Sequence, residues 1–123
     1  MIVLGIDPGV STGLAALVVD KPELSRTYAA DSIAGIMGFV EDIPNFQRIV
    51  LENYVFQPGT HISPTKTLMV IGAVHYMALM RDVRLIVQNS QYRKPYLEHA
   101  EAMLPGRTRH EIDAMAHAIS RSA

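Results

Sequence analysis

Cysteine is absent from the 123 residues, which excludes disulfides, thiolate-ligated zinc and a cysteine nucleophile. The absence permits a reducing compartment without requiring one. A bilayer-spanning run is missing as well. The greasiest stretch, Leu68 to Met80, is interrupted by Gly72, His75 and Tyr76 and falls short of the ~20 apolar residues that cross a membrane. The opening MIVLGIDPG has no basic flank and reaches Asp7 and Pro8 too early for a signal peptide. A cytoplasmic protein with no membrane partner is the expectation. Nor does one charge dominate: 11 Lys and Arg face 12 Asp and Glu, for a net charge of −1.

What is present points to a folded chain. A hydrophobic share of 49% against 19% charged residues excludes disorder, and 8 Gly with 7 Pro exclude low complexity. The length fits one domain, residues 1–123, burying about 65–70% of the unfolded surface. Charge is unevenly spread along it. Residues 1–60 carry Lys21, Arg26 and Arg48 against seven acids, a balance of −4, while residues 61–123 carry eight bases against five acids, a balance of +3. An acidic first half and a basic second half suit the joint capture of a metal and a polyanion. A solvated surface of mixed charge is the plain alternative.

The pattern of elements is α/β. Residues 2–7 (IVLGID) read as a buried strand ending at a Pro8-Gly9 turn, and residues 12–19 and 26–31 as two more strands on short connections, hence antiparallel. A helix is expected at 32–43, where Ile33, Ile36, Met37 and Val40 recur at helical spacing, followed by a strand at 48–52 (RIVLE). The longest helix, 64–82, begins with Ser63 as N-cap and Pro64 in the first turn. A fifth strand at 84–88, a short helix at 95–104 stopped by Pro105-Gly106, and a last helix at 108–121 complete the chain. Crossover helices make the first, fourth and fifth strands parallel. The expectation is a mixed five-stranded sheet flanked by helices.

Chemistry concentrates in a few acids. Asp7 ends the first strand and Glu52 the fourth, where α/β sheets bind ligands. By alternation Asp7 shares a face with Val3 and Gly5, and Glu52 shares one with Val50. On the last helix, Ile112, Met115, Ala116 and Ile119 form the apolar sector expected against the sheet, while His110, Asp113 and His117 lie within about 60° of one another. Three carboxylates drawn together repel unless a cation offsets them, and oxygen donors of this kind suit Mg²⁺ or Mn²⁺. Two such ions per site would activate water and stabilise the leaving oxygen in phosphodiester hydrolysis, with His110 as a further ligand or general base. Each position also has a plain reading: Asp7 as the start of an Asp-Pro-Gly turn, Glu52 as a strand end, His110 as a cap, Asp113 or His117 on a solvated face.

GIDPGVSTGLA at 5–15, VLEN at 50–53 and HEIDAMAHAI at 110–119 resemble the successive motifs of RuvC-type Holliday junction resolvases. The resemblance implies a ribonuclease H-like fold and a Mg²⁺-dependent, structure-specific endodeoxyribonuclease acting on branched DNA. Its four catalytic and metal-binding positions fall on Asp7, Glu52, His110 and Asp113. Many bacterial members carry aspartate where this chain has His110, and the compact phage-type members are the better match in length, which would make the compartment a host cytoplasm. Rival readings within the fold are a RuvC-related ribosomal-RNA-processing nuclease and a catalytically silent DNA-binding module.

For DNA, the basic candidates are Arg93, Lys94, Arg107 and Arg109. The resemblance also implies an aromatic that prises open the junction centre, for which Phe56 fits better than Tyr54; covering the core is the alternative for both. The 64–82 helix is apolar around more than one face, which suits a second buried face or a homodimer interface. Family members act as dimers, and two symmetric cuts need two sites related by a two-fold axis.

Overall fold

The computed structural model describes residues 1–55, 59 and 63–123. Strands β1 (Ile2–Asp7), β2 (Thr12–Val18), β3 (Arg26–Ala30), β4 (Arg48–Glu52) and β5 (Arg84–Gln88) form one sheet in the order β3-β2-β1-β4-β5. Tight connections leave β1–β2 and β2–β3 antiparallel, whereas the helices α1 (Ile33–Glu41) and α2 (Thr65–Arg81) carry the chain back so that β1, β4 and β5 run parallel. Helices α3 (Leu97–Met103) and α4 (Arg109–Ser120) complete the fold. The mixed sheet expected from the sequence is observed, with every strand within a residue of its predicted bounds. Among the described residues no helix is long and apolar enough to cross a membrane.

Alternation along the strands builds two cores. Leu4, Ile6, Leu14, Ile49 and Leu51 join Ile36, Val40, Val70 and Val74 on the α1/α2 side. Val3, Ala15, Leu17 and Val50 join Ala100, Leu104, Met115 and Ala116 on the α3/α4 side. Asp7 and Glu52 follow the parity of Val3 and Val50 and so belong to the α4 side. Ile6 pairs with Leu51 in the parallel ladder, and one residue further on Asp7 and Glu52 end adjacent strands side by side.

Helix boundaries differ from the sequence reading in two places. Pro64, not Ser63, occupies the N-cap position of α2, although the Ser63 hydroxyl accepts a hydrogen bond from the Thr65 N–H at 3.3 Å. The short helix expected at 95–104 is α3, Leu97–Met103, and a 3-10 segment outside the sequence reading, Ser90–Tyr96, leads into it. Pro95 lacks the N–H that a regular α-helix would use there, so the chain coils tightly before α3 begins.

Helix α4 is held at its start by a capping box. Thr108 Oγ1 accepts from the Glu111 N–H, and the Glu111 carboxylate accepts from the Thr108 N–H. Glu111 also accepts from the Thr27 hydroxyl at 2.6 Å, which ties the helix to β3. Burial pushes the Glu111 carboxyl up, but the bonds from Thr27 and Thr108 outweigh it and leave its pKa lowered.

The predicted sector does pack on the sheet: Ile112, Met115 and Ala116 share one core with Val3, Ala15, Leu17 and Val50. The close approach runs along His110, Ala114 and Ala118, at i, i+4 and i+8. A Cβ on Gly5 would lie 1.9 Å from the Ala114 carbonyl oxygen, and one on Gly13 would lie 2.0 Å from the His110 carbonyl oxygen. The core of Ile112, Met115 and Ala116 also takes in Ala100 and Leu104 of the α3 region, and half-buried Ile119 packs against it. A stripe of small residues lets backbones touch, and apolar bulk gathers where there is room for it.

Gly5→Ala or Gly13→Ala should therefore destabilise the protein by about 3 kcal/mol or more, at the upper end of overpacking costs, because the obstructing atoms are backbone. Gly72→Ala, inside α2 with nothing within 4 Å of the added methyl, should be neutral or stabilising by up to ~1 kcal/mol. Urea unfolding of the three variants checks the contrast, and equal effects would refute the close-approach explanation.

Candidate active site

The end of β1, the end of β4 and the first turns of α4 converge at one edge of the α4 face. Asp7 is 5% exposed, and its Oδ2 lies 2.9 Å from His110 Nδ1. Its carboxylate is thus engaged across the sheet–helix interface, beyond any part it plays in the Asp-Pro-Gly turn. Glu52 Oε1 lies 2.9 Å from His117 Nε2 and also accepts from Arg93 Nη1. Asp113 is 5% exposed, with Oδ1 at 3.3 Å from Arg93 Nε and 3.2 Å from Arg109 Nε. The structure therefore brings Asp7, Glu52, His110 and Asp113 into one neighbourhood.

Two basic residues stand elsewhere than a simple phosphate patch would have them. Arg93 turns inward and bridges Glu52 and Asp113. Arg109 reaches Asp113 one helical turn along while most of its side chain stays in solvent. Lys94 and Arg107 are exposed. Tyr54 lines an open cleft of about 300 Å³ together with Pro8, Glu52, Asn53, Ser90 and Arg93. Phe56 lies outside the described residues.

His117 is the residue that sequence reasoning undervalued. It shares a helix face with His110 and Asp113, yet a solvated position was allowed for it; in the structure it is 0% exposed and bonded to Glu52. Gln88, likewise unforeseen, pairs in register with Glu52 at the end of β5 and reaches His117 Nδ1 at 2.7 Å. A polar residue closing a third parallel strand beside two acidic strand ends was the available signal.

The electrostatics are unbalanced. Burial, then the Glu52 charge, raises the Asp7 pKa to about 7, and the His110 hydrogen bond only partly offsets them. Burial acts in the same sense on Glu52, but hydrogen bonds from His117 and Asp7 and the Arg93 charge outweigh it, and its pKa is lowered. The pair therefore keeps its proton on Asp7.

The donor set fits a hard divalent cation. It offers carboxylates from three elements and an imidazole, and Asp113 Oδ1 is buried and ion-paired without a hydrogen bond. Among the described residues no three His, Asp or Glu side chains already converge on a single ion-sized point. Arginines take that part instead, since Arg93 sits between Glu52 and Asp113.

The raised Asp7 pKa has a consequence for stability. The folded state holds this proton more tightly than the unfolded chain, whose Asp titrates near its ordinary value of 3.8. Metal-free protein should therefore gain stability as pH falls from above 7 toward 5, before the lowered pKa values of Glu52 and Glu111 begin to act in the opposite sense. Asp7→Asn should raise the melting temperature in chelator at pH 8 and flatten this dependence. A parent protein whose melting temperature falls steadily from pH 8 to 5 would contradict it.

No protein-family model matches the chain, and no curated protein sequence does. Two solved structures share its fold. Thermus thermophilus RuvC in complex with a Holliday junction substrate superposes with a TM-score of 0.72 at 21% identity, over 98% of this chain and 91% of that one. A second Thermus thermophilus RuvC structure gives a TM-score of 0.68 at 20% identity, over 98% and 92%. At this identity the likeness is one of fold: the chain has the ribonuclease H-like architecture of RuvC along nearly its whole length.

Proposed function

We propose that this protein is a divalent-metal-dependent endonuclease that cleaves four-way or otherwise branched DNA by phosphodiester hydrolysis. The observation that carries the reading is the gathering of Asp7, Glu52 and Asp113 from three separate elements around the basic partners His110, His117 and Arg93. The RuvC fold adds weight, because one of its solved examples holds a Holliday junction substrate.

Asp7, Glu52 and Asp113 would hold Mg²⁺ or Mn²⁺, two ions in the full site. The metal would supply Lewis-acid stabilisation of the charge that develops on the phosphate. His110 has its Nδ1 against Asp7, so with that carboxylate ionised Nδ1–H donates and Nε2 is the atom that accepts a proton from the attacking water. The water oxygen then bonds to phosphorus as one ester P–O bond breaks, and the leaving alkoxide takes up a proton. Arg93 supplies positive charge to Glu52 and Asp113 in the metal-free site, a part a divalent ion would take over, releasing the guanidinium toward a phosphate. Lys94, Arg107 and Arg109 extend positive charge outward, and Tyr54 offers a ring for base stacking at the cleft beside Glu52.

A homodimer completes the reading. Helix α2 turns Val70, Val74 and Met77 into the core but leaves Met69, Tyr76, Leu79 and Met80 exposed, the last three at 65%, 77% and 65%. Leaving such surface in water costs about 25 cal/mol per Å². A two-fold partner on this face would cover it and set a second site against the other strand of a symmetric junction.

Asp7→Asn, Glu52→Gln and Asp113→Asn should each lower Mg²⁺-dependent cleavage of a synthetic four-way junction by on the order of 10²-fold or more while leaving junction binding in place. His110→Ala should retain more activity than these and recover part of the loss at high pH. Flap, duplex and RNA–DNA hybrid substrates run beside the junction decide the substrate class. Preference for structured RNA would select an RNA-processing nuclease, and binding without cleavage a silent module.

Met80→Glu should yield a folded monomer that nicks junctions singly. Analytical ultracentrifugation decides this, and a parent protein that is monomeric both free and on a junction would end the dimer reading.

A further inference from the structure

We infer that His117 is a positioning residue for Glu52, and that its hydrogen-bonding direction is set from the C-terminal end of α4 by Arg121 through Gln88. The inference rests on the reading of Glu52 as a metal ligand and adds to it a residue outside the carboxylate set.

The direction of each bond follows from chemistry. Arg121 Nε can only donate, and it lies 2.8 Å from Gln88 Oε1. That contact fixes which end of the Gln88 amide is oxygen. The amide nitrogen then points its two hydrogens at Ser120 Oγ, 2.8 Å away, and at His117 Nδ1, 2.7 Å away. Ser120 is free to accept because its own hydroxyl proton goes to the His117 carbonyl oxygen at 2.6 Å. With Nδ1 accepting, the proton of the neutral ring sits on Nε2, and Nε2–H donates to Glu52 Oε1 at 2.9 Å. No alternative assignment satisfies all five contacts.

The anchoring is rigid where it must be. His117 is completely buried, and Gln88 is 4% exposed and in register with Glu52 on the neighbouring strand. Arg121 is steadied at the surface by the Tyr92 ring, with its guanidinium carbon 5.6 Å from the ring centre. Glu52 Oε1 is thereby committed to the protein, which would leave the other carboxylate oxygen to serve a cation. The arrangement is that of a ligand oriented by a hydrogen-bonded neighbour, whose loss commonly weakens metal binding 10- to 100-fold.

The test combines spectroscopy with metal titration of the full chain. Long-range ¹H–¹⁵N spectra of the metal-free, histidine-labelled protein should show His117 as the Nε2–H tautomer; an Nδ1–H tautomer overturns the inference outright. In calorimetric Mg²⁺ titrations, His117→Leu should bind roughly 10- to 100-fold more weakly. His117→Gln, whose amide nitrogen can stand where Nε2 stood, should restore affinity to within about threefold of the parent. Should His117→Leu fail to fold, Arg121→Met serves, since it touches none of the acids. It frees the Gln88 amide to turn over, and should bring the Nδ1–H tautomer into the spectrum with a severalfold loss of Mg²⁺ affinity. A parent that binds no Mg²⁺ removes the metal reading and this inference with it. A parent that binds while His117→Leu or Arg121→Met binds equally well removes the positioning role alone.

Discussion

Helix α4 rests on the sheet backbone to backbone, and this contact is possible only because residues 5 and 13 lack a side chain. Any Cβ there would hold the helix off and carry His110, Asp113 and His117 away from the ends of β1 and β4. Glycine inside a strand costs roughly 0.5–1 kcal/mol relative to alanine. Two of them in adjacent strands under one helix are tolerated because the close approach buries residues 111–118 of α4 without a break. The capping box at Thr108 and the Thr27–Glu111 bond fix how that helix is set along its axis. The site inherits its geometry from this packing rather than from any loop.

A buried cluster of acids needs an account of what makes it bearable. Each carboxylate here has a basic partner from the second half of the chain: His110 for Asp7, His117 and Arg93 for Glu52, Arg93 and Arg109 for Asp113. The compensation is incomplete. Asp7 retains a pKa near 7 because its one partner does not offset both burial and the Glu52 charge. A fold that carries such an imbalance at the open ends of parallel strands holds electrostatic free energy that a bound cation would release.

Much of this was legible in the sequence. Strand periodicity and connection length gave the mixed sheet and the strands that run parallel, since period-two alternation and short turns leave few alternatives. The parity of Asp7 with Val3 and of Glu52 with Val50 is legible in the sequence, and the parallel β1–β4 register then puts both acids on one face. The apolar sector of α4 was legible from its spacing, but the backbone approach beside it was not, since it follows the small residues Ala114 and Ala118 opposite Gly5. His117 was undervalued for a related reason. Helical angle alone does not say whether a polar residue near the boundary meets water or a partner, and its partners Glu52 and Gln88 come from other strands. The inward turn of Arg93 was beyond sequence reading, because it depends on the 3-10 segment that Pro95 imposes.

The uneven charge along the chain gains its meaning from the topology. The first half supplies two of the three acids, and the second half supplies the arginines and histidines that meet them. Crossover connections lay β4 beside β1 and β5 beside β4, so residues far apart in the chain end at one edge. An acidic and a basic half that fold against each other would ordinarily neutralise into a structural ion-pair network. Here they do so only in part: Asp7 is left undercompensated, while Lys94 and Arg107 remain in solvent. A purely structural network would have no use for that residue of both signs. The acid left over lies at the buried strand ends and the bases left over lie in solvent, and the proposed binding of a cation and a polyanion rests on that separation.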